Sequence, residues 1–211
     1  MIARAILLAL APGLLSAGVV ASGAGDHVPA PFAPISPTSW QPQPGDVILT
    51  AADDLVGSRI RSASGENAVY SHVGLVVASG RETVVIEATP FGTGTVALTS
   101  VDAFTTARGT TDLLIVRPRR RIDGDRLSAQ AARLAEAAVP FDYDLDADDP
   151  SRLYCAELVF NLLADAGADL GGVGRVAMWI PLTGDRQVIA PDAFALAPSF
   201  ERVFRRSRTP G

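Results

Sequence analysis

Three short apolar segments, each bounded by turn residues, constrain the fold of this chain more than any other feature. They are residues 69–77, 83–89 and 112–117. Segments of this length that are rich in Val and Ile are typical of strands in a sheet. Gly80 and Arg81 separate the first two segments, so an antiparallel hairpin is the simplest connection between them. The run Asp46–Thr50, which follows the turn Pro44-Gly45, predicts one more strand.

The other apolar patterns have a helical period. Residues 125–139 and 155–166 carry apolar side chains three or four positions apart, and Gly167 suits the C-cap of the second helix. Residues 53–62 predict a short helix, and residues 176–180 and 200–204 predict further strands on either side of a turn at Pro191-Asp192. Strands and helices in separate runs indicate the α+β class, with the helix that begins at Cys155 packed on the sheet.

The N-terminal 24 residues have the pattern of a secretory signal peptide. Arg4 precedes an apolar run from Ala5 to Leu15, and small residues continue to Ala24. Pro12-Gly13 interrupts the run, which favours a cleaved signal over a retained membrane anchor. We therefore expect an exported protein, periplasmic or secreted, with a Pro-rich linker over residues 25–43 and one folded domain over residues 44–206.

Composition excludes some partners. The hydrophobic share is 48%, as in a folded globular protein, and the net charge is −5, which disfavours binding to nucleic acid. The Arg clusters at 117–121 and 205–208 are expected to be solvated ends of strands. The oligomeric state is not predicted.

Cys155 is the only cysteine of the chain. Exported proteins usually hold cysteines in disulfide pairs, so a single one suggests a reactive thiol. It opens a predicted helix, where free N–H groups and the helix dipole favour the thiolate. We therefore predict that the chain is an enzyme with Cys155 as its nucleophile.

The chain has two histidines, and only one is well placed to serve as a base. His27 lies in the linker, whereas His72 begins a predicted strand. A hairpin centred between residues 79 and 80 would bring Glu87 beside His72. A carboxylate there would fix the tautomer of the imidazole and turn its other nitrogen toward the thiol. The predicted catalytic residues are Cys155, His72 and Glu87.

These three residues predict covalent acyl transfer. Cys155 would attack a carbonyl, His72 would move the proton, and Glu87 would orient His72. The backbone N–H of Cys155 would stabilise the oxyanion, with the hydroxyl of Tyr70 or Tyr154 as a second donor. Glu157 is expected to cap the helix or form an ion pair.

No metal or other cofactor is expected. Five aspartates between residues 142 and 149 suggest a calcium loop at first, but Ala147 and Leu153 stand where an EF-hand needs Gly and Glu, so a solvated loop is predicted. Zinc held by His72, Glu87 and Cys155 is disfavoured because the close ligand spacings of zinc motifs are missing. The sequence also has no Gly-x-Ser-x-Gly motif of a serine hydrolase.

Four motifs together resemble a known superfamily, the circularly permuted papain-like cysteine hydrolases related to NlpC (YiiX-like). They are Pro44-Gly45-Asp46-Val47-Ile48, Ser71-His72-Val73-Gly74, Ile86-Glu87-Ala88, and Tyr143-Asp144 with Leu153-Tyr154-Cys155-Ala156-Glu157-Leu158-Val159. His72 precedes Cys155, which is the permuted order. The resemblance implies a papain-like α+β fold, with the nucleophile on a helix packed against an antiparallel, barrel-like sheet. Ala156 departs from the pattern, because many relatives have Ser there.

Three functions remain open. The first is hydrolysis of amide bonds outside the cytoplasm by a cysteine peptidase or amidase, and the resemblance implies peptidoglycan stem peptides of the cell wall as substrates. The second is lipid acyl transfer or ester hydrolysis by the same residues, because permuted relatives include lipid acyltransferases. The third is a module that binds the cell envelope without catalysis. A reactive Cys155 would distinguish the first two from the third.

Overall fold

The computed structural model describes residues 40–52, 55–107, 109–180 and 183–207, with only the backbone described at positions 55 and 56. The predicted signal peptide, most of the linker and His27 lie outside these residues, as does the predicted start of the first helix at Asp53. Within the described ranges, no helix is long and apolar enough to cross a membrane.

Six antiparallel strands form the main sheet, in the order β4-β3-β2-β1-β5-β8. Two more strands, β6 and β7, pair as a separate hairpin. The predicted strands are all found at or near their expected positions, whereas β4 and β7 are not predicted. The strands are β1 (Val47–Ala52), β2 (His72–Ser79), β3 (Glu82–Ala88), β4 (Val96–Ser100), β5 (Thr110–Pro118), β6 (Val176–Ile180), β7 (Gly184–Val188) and β8 (Phe200–Ser207).

Five helices accompany the sheet in the described part of the chain, and the observed class is the predicted α+β. The three predicted helices are present, and two short ones, α2 and α5, are additional. The helices are α1 (Leu55–Ser64), α2 (Val101–Thr105), α3 (Gly124–Glu136), α4 (Cys155–Asp165) and α5 (Asp192–Leu196).

Helix α3 ends three residues before the predicted boundary. Asp123 caps its start by accepting a hydrogen bond from the N–H of Arg126 at 2.9 Å. Ala138 has a φ of +46°, which breaks the helical path. The carbonyl of Val139 then accepts a hydrogen bond from the N–H of Val96 at 2.8 Å, so the end of the predicted helix instead contacts the start of β4.

The sheet is buried on both faces, and successive residues of its central strands alternate between two cores. Val73, Leu75 and Val77 of β2 belong to the larger core, which includes the buried faces of α3 and α4. Val76 belongs to a smaller core on the opposite face, together with Trp40. Helix α4 is thereby packed against β2 and β3, so its N-terminus and Cys155 are held against the central strands.

The hairpin of β2 and β3 turns one residue later than predicted. Ser79 pairs with Glu82, so its centre lies between Gly80 and Arg81, and Gly80 adopts a φ of +61°. Further along, Leu75 pairs with Ile86. His72 and Glu87 are therefore diagonal neighbours rather than a directly opposed pair.

A buried carboxylate immediately precedes β1. Asp46 is fully buried and accepts hydrogen bonds from Nε of Arg117 at 2.6 Å and Nε1 of Trp40 at 2.9 Å. The expectation that the cluster 117–121 is solvated is therefore wrong for Arg117, although Arg121 is exposed. The pair joins β1 to β5 at the end of the sheet remote from His72.

Candidate active site

Cys155 is the first residue of α4 and is partly exposed. Its backbone N–H belongs to the first helical turn, where amides have no partner within the helix. The aligned peptide dipoles of α4 favour negative charge at this end. A thiol at this position is suited to react as a thiolate and to present its own N–H to an oxyanion.

Tyr154, immediately before Cys155, is held at both ends. Its backbone N–H donates to Oε2 of Glu157 at 3.4 Å, and its buried hydroxyl accepts a hydrogen bond from the N–H of Ile189 at 3.1 Å. These contacts tie the start of α4 to the segment after β7. They restrict how far the backbone at Cys155 can move.

Glu157 has the capping role that its position predicts, and it is only 4% exposed. Burial is the main cause that raises the pKa of its carboxyl to about 7. The hydrogen bond from Tyr154 and the charge of Arg175 oppose this shift, while Asp142 and Asp146 add to it. A protonated form of Glu157 is therefore populated near neutral pH, two residues after Cys155.

His72 is the first residue of β2, and its side chain is 27% exposed. Its Nε2 lies 2.8 Å from Oε2 of Glu87, and its ring lies 5.5 Å from that of Phe104. The side chain of Cys155 lies close enough to the imidazole to raise its pKa. Because Nε2 faces Glu87, Nδ1 is the nitrogen available to the thiol.

Glu87 has a second partner that the sequence does not reveal. Its Oε1 accepts a hydrogen bond from Oγ1 of Thr99 at 2.8 Å, and its side chain is 14% exposed. Thr99 lies on β4, so recognising it would require knowing that β4 pairs with β3. Each carboxylate oxygen therefore has one partner, and His72 and Thr99 together fix the plane of the carboxylate.

The imidazole is surrounded by groups that favour its charged form. Burial lowers the pKa of His72, but hydrogen bonds and charge interactions with Cys155 and Glu87 outweigh it and raise the pKa to about 10. In the opposite sense, burial raises the pKa of Glu87, while His72 and then Thr99 lower it, and the net shift is downward. The surroundings therefore favour an imidazolium at His72 beside an ionised Glu87.

The two tyrosines predicted as oxyanion donors have other partners. Tyr70 and Tyr154 are only 4% and 3% exposed. The hydroxyl of Tyr154 contacts the backbone of Ile189, and the backbone N–H of Tyr70 donates to Asp192 at 3.1 Å. Both residues are thus used in packing near the site, and their oxyanion role stays a prediction. The N–H of Cys155 is the better placed donor.

The acidic loop before α4 is more ordered than the predicted solvated loop. Asp142 is fully buried, and Nη1 of Arg152 lies 3.5 Å from it. The same guanidinium group contacts Asp144 and Asp149, each at 2.9 Å. Arg152 therefore neutralises and cross-links a loop that ends three residues before Cys155.

A pocket of about 270 Å³ lies beside His72 and Glu87. It opens where the end of β1, the start of β2 and the end of β3 meet α1. Its walls combine hydroxyl groups with apolar side chains. The lining residues are Thr50, Ala52, Gly57, Ile60, Ser71, His72, Glu87, Thr89, Pro90, Phe91, Ala107 and Thr110.

The two tryptophans have different surroundings. Trp40 packs in the smaller core and is 6% exposed, whereas Trp179 on β6 is 67% exposed.

No group of three or more His, Cys, Asp or Glu side chains in the described ranges is arranged to hold a metal ion.

Comparison with known proteins identifies the fold and the family of the chain. One similar solved structure is the crystal structure of metalloprotein yiiX from Escherichia coli O157:H7, with a TM-score of 0.66 and 21% sequence identity over 80% of this chain and 99% of that chain. At this identity the likeness shows the fold. No protein with a curated description matches the chain in sequence.

Residues 41–204 match the family described as permuted papain-like amidase enzyme, YaeF/YiiX, C92 family. The matched segment covers most of the chain and contains Cys155, His72 and Glu87. The order of the histidine before the cysteine, together with the antiparallel sheet packed on the helix of the cysteine, is the permuted papain-like arrangement. The chain therefore belongs to the permuted papain-like amidases of the C92 family and is a papain-like cysteine hydrolase.

Proposed function

We propose that this protein is an exported amide hydrolase that acts on peptides of the cell wall through a covalent acyl-enzyme. The proposal depends on one observation, the hydrogen bonds from Thr99 to Glu87 and from His72 to Glu87, with the thiol of Cys155 close enough to the imidazole to raise its pKa. Cys155 is the nucleophile, His72 is the general acid and base, and Glu87 orients His72.

The reaction has two balanced steps. In the first, the thiolate of Cys155 attacks the amide carbonyl, the C–N bond breaks, and the imidazolium of His72 gives its proton to the leaving amine. In the second, water attacks the thioester while His72 takes a proton from it. The C–S bond breaks, the acid is released, and the thiolate–imidazolium pair is restored.

The N-terminus of α4 stabilises the negative charge that develops on the carbonyl oxygen during the attack. The N–H of Cys155 donates to this oxyanion, and the dipole of the eleven-residue helix supports the same charge. The contacts of Tyr154 with Glu157 and Ile189 keep this donor in place. Positioning of this kind contributes through geometry that exists before the substrate binds.

We favour peptide amides over lipids as the substrates because of the shape of the site. A lipid acyltransferase or esterase would use the same residues but would need a long apolar groove for the chain. The pocket beside His72 has about 270 Å³, enough for a side chain rather than a long acyl chain. The N-terminal sequence, with its signal-like apolar run, supports action outside the cytoplasm.

The test compares purified mature protein with its Cys155→Ala variant on muropeptides and on short acyl esters. We expect the first to release peptide fragments from muropeptides and the variant to release none while keeping the same melting temperature. Full activity of Cys155→Ala would overturn the mechanism. Cleavage of acyl esters without cleavage of any muropeptide would overturn the cell-wall assignment and favour the lipid alternative.

A further inference from the structure

The pocket beside His72 is placed asymmetrically with respect to the reacting groups. His72 and Glu87 form part of its wall, and Cys155 is not among its described lining residues. The imidazole is therefore shared by the wall of the pocket and by the reacting pair, because its other nitrogen is available to the thiol. A group bound in the pocket lies against the proton donor of the reaction.

This asymmetry has a chemical meaning in a thiol hydrolase. The acyl part of the substrate becomes bonded to sulfur and lies against the oxyanion donor at the start of α4. The leaving amine must lie next to the imidazole, because His72 protonates its nitrogen as the C–N bond breaks. The pocket that adjoins His72 is thus on the side of the leaving group.

We propose that this pocket is the leaving-group subsite and that it selects amines carrying a compact aliphatic or aromatic side chain. The inference rests on the proposed function. It adds the chemical class of the group on the amine side of the scissile bond.

The walls of the pocket fit such a group. Ile60 and Phe91 supply apolar surface on two sides, and Pro90 and Ala52 complete it. At about 30 Å³ for each water-sized group, a volume of about 270 Å³ holds roughly nine of them, which matches one large amino-acid side chain. Apolar contact in the pocket favours apolar groups in proportion to the area removed from water.

The mouth of the pocket is also fixed in place. Phe91 is 59% exposed at the edge, where a bound side chain would cover it. The loop that carries it is held by Tyr143, whose hydroxyl donates to the carbonyl of Pro90 at 3.1 Å. The subsite is therefore attached on one side to the strand of Glu87 and on the other to the loop preceding Cys155.

Amine acceptors test the subsite without knowledge of the natural substrate. p-Nitrophenyl acetate acetylates the thiolate of Cys155 as its C–O bond breaks, and the p-nitrophenolate that leaves takes the proton of His72. An added amine then attacks the thioester, the C–N bond forms and the C–S bond breaks, and His72 accepts the proton of the amine. Because this reverses the departure of a leaving amine, the ratio of amide to acetate formed reports binding in the leaving-group subsite.

The acceptors are leucinamide, phenylalaninamide, glycinamide and lysinamide at equal concentrations of free amine. We expect leucinamide and phenylalaninamide to intercept the acetyl-enzyme about tenfold more efficiently than glycinamide, since burying a Leu or Phe side chain favours binding by at least this factor. Lysinamide is expected to fall near glycinamide, because its ammonium group would lose water in the pocket.

Two substitutions on α1 provide a matched pair. Ile60→Lys puts a charge into the pocket and should remove the preference for leucinamide, whereas Ser62→Lys adds the same charge at an exposed position of the helix outside the pocket. Ser62→Lys should keep the preference of the unsubstituted protein. Melting temperatures of both variants are measured alongside.

Equal interception by leucinamide and glycinamide in the unsubstituted protein would overturn the subsite, and this result does not depend on any variant folding. Ile60→Lys could instead change the hydrolysis rates of different acyl-enzymes and leave the acceptor preference unchanged. This result would place the acyl group in the pocket and would also overturn the leaving-group subsite. If neither the unsubstituted protein nor Cys155→Ala shows a burst of p-nitrophenol, the acyl-enzyme itself is refuted, and the subsite with it.

Discussion

Glu87 reaches His72 diagonally across the hairpin of β2 and β3. The register that pairs Leu75 with Ile86 places Glu87 opposite Gly74, yet its Oε2 lies 2.8 Å from Nε2 of His72. Diagonal neighbours on one face of a sheet are within reach of long side chains. Since Gly74 has no side chain, none stands between the carboxylate and the imidazole.

Gly74 is accordingly a sensitive position. A Cβ there would lie 2.5 Å from Cγ1 of Val85 and 2.8 Å from the ring of Phe104, which in turn contacts the ring of His72. We expect Gly74→Ala to lower the free energy of unfolding by about 1–3 kcal/mol and to reduce kcat. Urea unfolding and steady-state kinetics measure the two effects. Gly174→Ala is the control, because nothing lies within 4 Å of its added Cβ. An unchanged Gly74→Ala protein would contradict the packing described.

Glu87 is, together with Cys155, one of the two groups that raise the pKa of His72. The pKa of His72 is raised to about 10 in the folded protein from an ordinary value of 6.5, so its contribution to stability is fully present below pH 6.5 and is lost as the pH rises through about 10. Glu87→Gln should lower this pKa and reduce kcat/KM at pH 8 by about tenfold or more. NMR titration of the imidazole and the pH profile of kcat/KM measure these changes.

Glu82→Gln removes the same charge from an exposed position of β3 and serves as the control for that experiment. It should leave both the titration and the activity unchanged. A His72 that titrates at its ordinary value in the unsubstituted protein would show that the contact with Glu87 does not stabilise the imidazolium.

The buried carboxyl of Glu157 makes the free energy of unfolding depend on pH near neutrality. Burial raises its pKa to about 7 from 4.5, so the stability it contributes is fully present below pH 4.5 and is lost as the pH rises through 7. Glu157→Gln keeps an acceptor for the N–H of Tyr154 but cannot ionise. Relative to the unsubstituted protein, the variant should therefore gain stability between pH 5 and pH 8 in urea unfolding. Glu136→Gln, at an exposed position of α3, should show no such gain. If the free energies of unfolding of Glu157→Gln and of the unsubstituted protein changed in parallel with pH, the raised pKa of Glu157 would be refuted.

Arg117 stabilises the sheet at the end remote from the site. Its loss leaves the carboxylate of Asp46 buried without its cation. We expect Arg117→Ala to cost about 2 kcal/mol, less than a fully buried pair, because Arg117 is 27% exposed. Thermal unfolding measures the loss, kcat should stay unchanged, and Arg121→Ala at an exposed position is the control. A large fall in kcat without a loss of stability would contradict this structural role.

The sequence predicts the parts of the fold that have a clear apolar pattern. The β-branched runs of β1, β2, β3 and β5 and the helical spacing of α3 and α4 each identify an element correctly. By contrast, β7 has the sequence Gly-Asp-Arg-Gln-Val and is a strand because it pairs with β6, and β4 follows the glycines at positions 92 and 94. Elements that depend on a partner strand cannot be read from their own residues.

The same distinction applies to the candidate site. Cys155, His72 and Glu87 are identifiable because the chain has one cysteine and two histidines, and the structure brings the three side chains together. Thr99 is missed because its strand is missed. The partners of Tyr70 and Tyr154 come from segments more than thirty residues away, so packing contacts and contacts with the oxyanion look alike in the sequence.

The most direct test of the account is the rate at which iodoacetamide alkylates Cys155 at pH 6, followed by mass spectrometry. The imidazolium of His72 stabilises the thiolate, so the unsubstituted protein should react at least tenfold faster than His72→Ala, while Arg121→Ala should match the unsubstituted protein. Slow alkylation in all three proteins would contradict a catalytic Cys155 and would favour a binding module that has kept the fold without the chemistry.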